Sequence, residues 1–201
     1  MSKRQGHGGG QNALNVPNVL SMLRVAGVPI FLWAILTEQD VLALLVLMGS
    51  GITDYLDGKI ARHYGLVTTL GQYLDPIADR LYIASTLFGL AWRDIIPWWL
   101  VALLVARDAF ILGMYPAVRS YGLPVPPVHF IGKAATFNLI YAFPLLLLGS
   151  FDSWLGTVAL PVGWAFAWWG TGLYWLGGLL YAWQVSDMLG QRRRQWQAVD
   201  A

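Results

Sequence analysis

Six apolar stretches dominate the chain, running about Leu20 to Leu36, Val41 to Thr53, Leu81 to Trp92, Ile96 to Pro116, Phe130 to Leu148 and Ala159 to Val185. A helix needs about 20 residues to cross the hydrocarbon core of a bilayer, and the second and third stretches are too short as they stand. They reach that length only if the second continues through Asp54 and Asp57 toward Arg62, and the third begins near Gly71 and takes in Asp75 and Asp79. The pattern predicts an all-α, polytopic membrane protein, a bundle of six transmembrane helices with acidic residues inside two of them. Composition agrees, since 57% of residues are hydrophobic and only 12% charged, about half the charge of an ordinary soluble domain. A mean hydropathy of +0.53 is more than one small core could hide from water. The 11 tryptophans and 9 tyrosines suit a chain with two membrane interfaces to anchor.

Six spans place both termini on one side, and the distribution of basic residues decides which. Lys3, Arg4, Lys59, Arg62, Arg119, Lys133 and the run Arg192, Arg193, Arg194 fall in the tails and the even-numbered turns, whereas the opposite loops carry Glu38, Asp40, Arg93, Asp94 and Asp152. Both termini, and with them the stretch from Asp54 to Asp79, are expected on the cytoplasmic side of the plasma or inner membrane. Residues 1–13 read as a disordered cytoplasmic tail, residues 14–190 as one membrane domain and residues 191–201 as a basic cytoplasmic tail. No internal repeat, second domain or long linker is evident. The three prolines between Tyr121 and Val128 mark a non-helical connection. With no cysteine, disulfides, zinc-thiolate sites and thiol nucleophiles are excluded, and a net charge of +2 makes no case for nucleic acid.

The acids are paired at helical spacing. Asp54 and Asp57 are three apart and Asp75 and Asp79 four apart, so each pair lies on one helix face. Four unpaired acids at mid-bilayer would cost on the order of 10 kcal/mol, before any like-charge repulsion. Divalent cations compensate clustered hard oxygen ligands, and magnesium or manganese (Mg²⁺ or Mn²⁺) suits carboxylates that also engage substrate phosphates. Gly58 and Ala61 keep the face beside Asp57 bare, Gly71 does so one turn before Asp75, and Arg62 supplies a fixed cation suited to a diphosphate. Two blander readings of the acids are an ion or proton pathway in a transporter and a protein that binds a nucleotide-lipid without turning it over. Neither needs the small residues beside the acids.

Written out, the pattern is Asp54-x-x-Asp57-Gly58-x-x-Ala61-Arg62, eight residues, then Gly71-x-x-x-Asp75-x-x-x-Asp79. It resembles the signature of the CDP-alcohol phosphotransferase family at every named position. The resemblance extends to the entry segment Val16-Pro17-Asn18-Val19-Leu20-Ser21-x-x-Arg24 and to Arg107-Asp108 followed by Gly132-Lys133, covering most of Asn15 to about Leu148. It implies a six-helix fold, commonly homodimeric, that moves a phosphatidyl group from CDP-diacylglycerol to an alcohol and releases CMP. It also implies that Asp54, Asp57, Asp75 and Asp79 hold the metal, that Asp79 is the catalytic base on the acceptor hydroxyl, and that Gly58, Ala61, Arg62 and Gly71 line the CDP site.

For the acceptor the resemblance points to Arg107, Lys133 and Arg119. Related phosphatidylglycerolphosphate synthases carry an Arg-Glu pair where this chain has Arg107-Asp108, which together with Ser21-Met22-Leu23-Arg24 is more similar to the CMP-forming cardiolipin synthases of the family. The acceptor expected is phosphatidylglycerol. Glycerol 3-phosphate is the alternative and inositol phosphate a third, and spacing alone does not separate them. Adjacent helical residues point about 100° apart, so Arg107 is expected to find its partner in substrate or in another helix more readily than in Asp108. Lys133 could also reach the interface simply by extending its stem.

Overall fold

The structure is a computed structural model that describes residues 16–64, 69–120 and 130–199. It contains α1 (Val16–Leu36), α2 (Asp40–Tyr64), α3 (Thr69–Trp92), α4 (Trp98–Ser120), α5 (Phe130–Gly149) and α6 (Trp154–Val199), and no strand among the described residues. The all-α expectation is met. So is the extension of two helices through their acids, because α2 runs on to Tyr64 and α3 starts at Thr69. The expected tail at residues 1–13 and the proline-containing connection at 121–128 lie outside the described residues. At the other end the helix does not stop where the apolar run does. The 46 residues of α6 span about 69 Å, over twice the roughly 30 Å of a hydrocarbon core, and carry the backbone through the expected basic tail to Val199.

Among the described residues, α4 and α5 combine length with enough apolar character to cross a membrane, while α1 and α2 contain the shorter apolar segments Met22–Leu36 and Asp40–Thr53. The 46-residue α6 is rich in tryptophan and glycine, which lowers its hydropathy. Large apolar side chains stand on the outside, among them Leu45, Leu112, Phe130, Trp169 and Trp183. Such faces are costly in water and suited to lipid.

Contacts divide the chain inside α3 into two compact units, Met1–Thr86 and Leu87–Ala201. In the first, α1 and α2 form a hairpin. The turn is closed by a left-handed residue, Glu38 (φ 62°), with the Gln39 amide donating to the Ala34 carbonyl at 2.9 Å and the Glu38 amide to that of Ile35 at 3.4 Å. This satisfies carbonyls that the end of α1 would otherwise strand. Tyr82 of α3 is the wedge of this unit: its ring lies 6.0 Å from that of buried Phe31, and its hydroxyl donates to the Val46 carbonyl of α2 at 2.9 Å.

The second unit is organised by α6, which packs on both α5 and α4. Gly163, Gly170 and Gly177 of α6 face Leu146, Leu139 and Gly132 of α5, so both antiparallel helices step by seven residues along the contact. A side chain at Gly163 would put its Cβ 3.0 Å from the Leu146 backbone nitrogen, and one at Gly170 would meet Leu139 Cγ at 2.9 Å. Close approach of backbones through small residues is how membrane helices gain dispersion contact when lipid offers no hydrophobic drive between them. Ser153 caps the start of α6 by accepting from the Gly156 amide at 3.1 Å. Aromatic pairs Phe110–Trp175 and Trp99–Trp168 tie α4 to α6.

Candidate active site

The acids of the signature lie on α2 and α3, the two helices joined through Tyr82 and Val46. The chain passes from Tyr64 to Thr69 between them, so they run in opposite senses. From the Tyr82–Val46 bond, Asp54 is eight residues on along α2 and Asp75 seven residues back along α3, or about 12 Å and about 10 Å of helix rise. Asp54 and Asp75 therefore lie at matching levels along the two helices, with Asp57 about 16 Å and Asp79 about 4 Å from the same bond. Beyond backbone helix, the side chains of Asp54, Asp57, Gly58, Ala61, Arg62, Gly71 and Asp75 lie outside the described residues.

Asp79 is described, and it is not alone. The Arg24 guanidinium, on α1, donates through Nη1 to Asp79 Oδ1 at 2.6 Å. The two ends of this bond differ in environment, with the Arg24 side chain only 2% exposed and that of Asp79 49% exposed. A buried cation thus holds an accessible acid. The arrangement fixes one carboxylate oxygen while about half of the side chain stays exposed. Arg24 was assigned no role from the sequence, although it is a cation inside an apolar helix, a signal that usually marks a cavity or a partner.

In the second unit the Arg107 side chain is 14% exposed and is held by Tyr174 of α6 and by its own neighbour on α4, Asp108. Its Nε donates to the Tyr174 carbonyl at 3.2 Å, its Cζ lies 3.9 Å from the centre of the Tyr174 ring, and its Nη1 donates to Asp108 Oδ1 at 3.1 Å. The same Oδ1 accepts the Tyr174 hydroxyl at 2.5 Å. The expectation that Arg107 and Asp108 pair poorly is thus corrected: the long arginine stem curls back far enough to reach its neighbour. The other half of that expectation, a partner on another helix, is met by Tyr174. Lys133 stands exposed in the first turn of α5, and Arg119 exposed in the last turn of α4. Tyr174 was missed from the sequence because nothing in its spacing distinguishes it among so many aromatics.

The comparisons with known proteins agree with the signature. Residues 14–169 match the family described as CDP-alcohol phosphatidyltransferase. The chain is 56% identical over 182 residues to a Streptomyces coelicolor protein named cardiolipin synthase (CMP-forming), an overlap of 88% of this chain and 85% of that one. A Mycobacterium bovis protein provisionally named as a cardiolipin synthase is 41% identical over 181 residues, 89% of this chain and 86% of its own. A Mycobacterium tuberculosis protein provisionally named as a phosphatidylglycerophosphate synthase is 36% identical over 140 residues, 67% of this chain and 66% of its own. This chain belongs to the CDP-alcohol phosphatidyltransferase family and is an enzyme of that class. Its apolar helices and its family together mark it as a membrane protein.

Proposed function

We propose that this enzyme transfers the phosphatidyl group of CDP-diacylglycerol to a hydroxyl of phosphatidylglycerol, giving cardiolipin and CMP. The observation that carries the reading is the 56% identity, over 88% of the chain, to a relative named as a CMP-forming cardiolipin synthase. The acceptor hydroxyl attacks the phosphorus that bears the diacylglycerol, a new phosphorus–oxygen bond forms, and the bond to CMP breaks. Asp79 takes the hydroxyl proton, and Arg24 holds its carboxylate in place while it does so. Magnesium or manganese, held by Asp54, Asp57, Asp75 and Asp79, would offset the charge that develops on the departing CMP. The fit of that ion rests on the donor chemistry, four carboxylates on two helices with Asp54 and Asp75 at matching levels, and on the half-exposed Asp79 side chain.

Gly58, Ala61 and Gly71 keep the approach to the backbone clear for CDP, and Arg62 meets the diphosphate. Arg107, Lys133 and Arg119 receive the phosphate of the acceptor. All six helices cross the bilayer, with the site and both termini in the cytoplasm, and the enzyme works as a homodimer. The 36% identity to the relative provisionally named as a phosphatidylglycerophosphate synthase favours one second reading, glycerol 3-phosphate as acceptor. Purified protein given CDP-diacylglycerol with Mg²⁺ or Mn²⁺ and each acceptor separately decides between them. Cardiolipin with phosphatidylglycerol alone is expected, and product with glycerol 3-phosphate alone overturns the acceptor assignment while leaving the aspartate chemistry intact.

A further inference from the structure

Arg107 has no hydrogen-bond partner among the described residues beyond Tyr174 and Asp108, and those two occupy its Nε and Nη1. One face of the guanidinium lies on the Tyr174 ring. The stem lies against Gly178, where a Cβ would stand 3.4 Å from Nε and 3.5 Å from Cγ. What remains is the Nη2 edge, and a guanidinium edge is the group that best matches a phosphate. Asp108 is the competitor for that edge. An aspartate beside an arginine gains most by engaging both of its amino groups, a bidentate pair that would leave little charge for a ligand. Here the carboxylate bonds one amino group, through an Oδ1 that also accepts the Tyr174 hydroxyl.

We propose that Tyr174 is a positioning residue for acceptor binding, its hydroxyl holding Asp108 to one amino group of Arg107 so that the other faces the acceptor phosphate. This rests on the assignment of Arg107 to the acceptor made above. It adds a residue beyond 14–169, the part of the chain that the family matches. Tyr174 touches no reacting atom and acts through Arg107.

The test is steady-state transfer by the full-length protein in detergent, with KM measured for CDP-diacylglycerol and for each of phosphatidylglycerol and glycerol 3-phosphate, alongside the thermal midpoint. Tyr174→Phe keeps the ring and removes the hydroxyl. The expected result is an acceptor KM about tenfold higher, the loss of roughly one hydrogen bond's worth of affinity, with the donor KM unchanged. Adding Asp108→Asn to that variant removes the competing charge and is expected to return the acceptor KM toward the parent value. Equal rises for donor and acceptor, or a double variant no better than the single one, overturn the proposal. If Tyr174→Phe does not fold, Asp108→Asn alone still decides: an acceptor KM at or below the parent value is expected, and a tenfold rise overturns it. The parent enzyme's choice of acceptor is read separately. Both candidates carry a phosphate, so failure of the phosphatidylglycerol assignment leaves the role of Tyr174 open to the same measurement with the other.

Discussion

Arg24–Asp79 and Arg107–Asp108 are both arginine–aspartate pairs set in apolar helices, yet they are held in different ways. In the first, the partners come from α1 and α3, 55 residues apart, and the arginine is enclosed while the acid is half exposed. In the second they are neighbours on α4, and a third residue, Tyr174, binds both. The charge arithmetic is identical and in both the acid is the more exposed partner, 49% against 2% in the first pair and 31% against 14% in the second, so what differs is how each pair is held. In the proposed reading the half-exposed Asp79 acts as base and metal ligand, and the Nη2 edge of Arg107 receives an anion. A buried ion pair is weak evidence of stability, since desolvation offsets much of the attraction, so the way each pair is held says more than its presence.

The comparison breaks most visibly at the acid of the first pair. Asp79→Asn should reduce CMP release by about a thousandfold or more, within the range expected for a general base, while the protein still folds and binds CDP-diacylglycerol. Appreciable turnover in that variant removes Asp79 from the base role. Chelation should be equally severe, with EDTA abolishing transfer and added Mg²⁺ or Mn²⁺ restoring it. A rate indifferent to chelator would detach the four acids from any metal. Arg24→Gln should be milder. It leaves an acid that solvent can still reach and costs the pair's orientation, so we expect kcat to fall about tenfold and the KM of both substrates to move little. Loss confined to acceptor KM would make the first pair behave like the second.

Lys133→Ala tests the other side of the comparison. If Lys133 joins Arg107 at the acceptor, acceptor KM should rise several-fold, by about the value of one exposed charge contact, with donor KM unchanged. An equal loss for both substrates would leave Lys133 as a cation reaching for the interface.

The order of helices was legible because apolar runs and their lengths are local properties. The continuation of α2 and α3 through Asp54, Asp57, Asp75 and Asp79 followed from bilayer thickness alone. The acids' likeness to a known signature was legible for a similar reason, since every named position lies within one short stretch. Arg24 was readable by the rule applied to Arg107, that a cation in an apolar helix wants a partner, but its partner lay 55 positions away. The pairing of Arg107 with Asp108 was misjudged because the 100° rule describes where Cβ atoms point and not where a flexible arginine ends. Tyr174, 66 residues from Asp108, had no local mark at all. The seven-residue steps of Gly163, Gly170 and Gly177 were present in the sequence, but only contact with Leu146, Leu139 and Gly132 distinguishes them from Gly172, which has nothing within 4 Å.

Those glycines supply the smallest and sharpest contrast, because they separate packing of the second unit from the chemistry of its ion pair. Gly163→Ala forces a Cβ to within 3.0 Å of the backbone of α5, and backbone cannot step aside as a side-chain tip can. A loss of about 1 to 3 kcal/mol in stability is expected, as for other overpacked sites, with KM values unchanged in whatever protein remains folded. Gly178→Ala meets the Arg107 side chain first, at 3.4 Å from Nε, which is ordinary van der Waals contact. Replacing a helical glycine also stabilises by up to about 1 kcal/mol, so its thermal midpoint should hold or rise. The cost should appear in the acceptor KM, by about twofold, as the guanidinium is nudged off the Tyr174 carbonyl. If Gly178→Ala instead lowers the midpoint and spares the acceptor KM, the Arg107 cluster is a helix clasp like the glycine seam beside it, and the contrast between the two pairs reduces to packing.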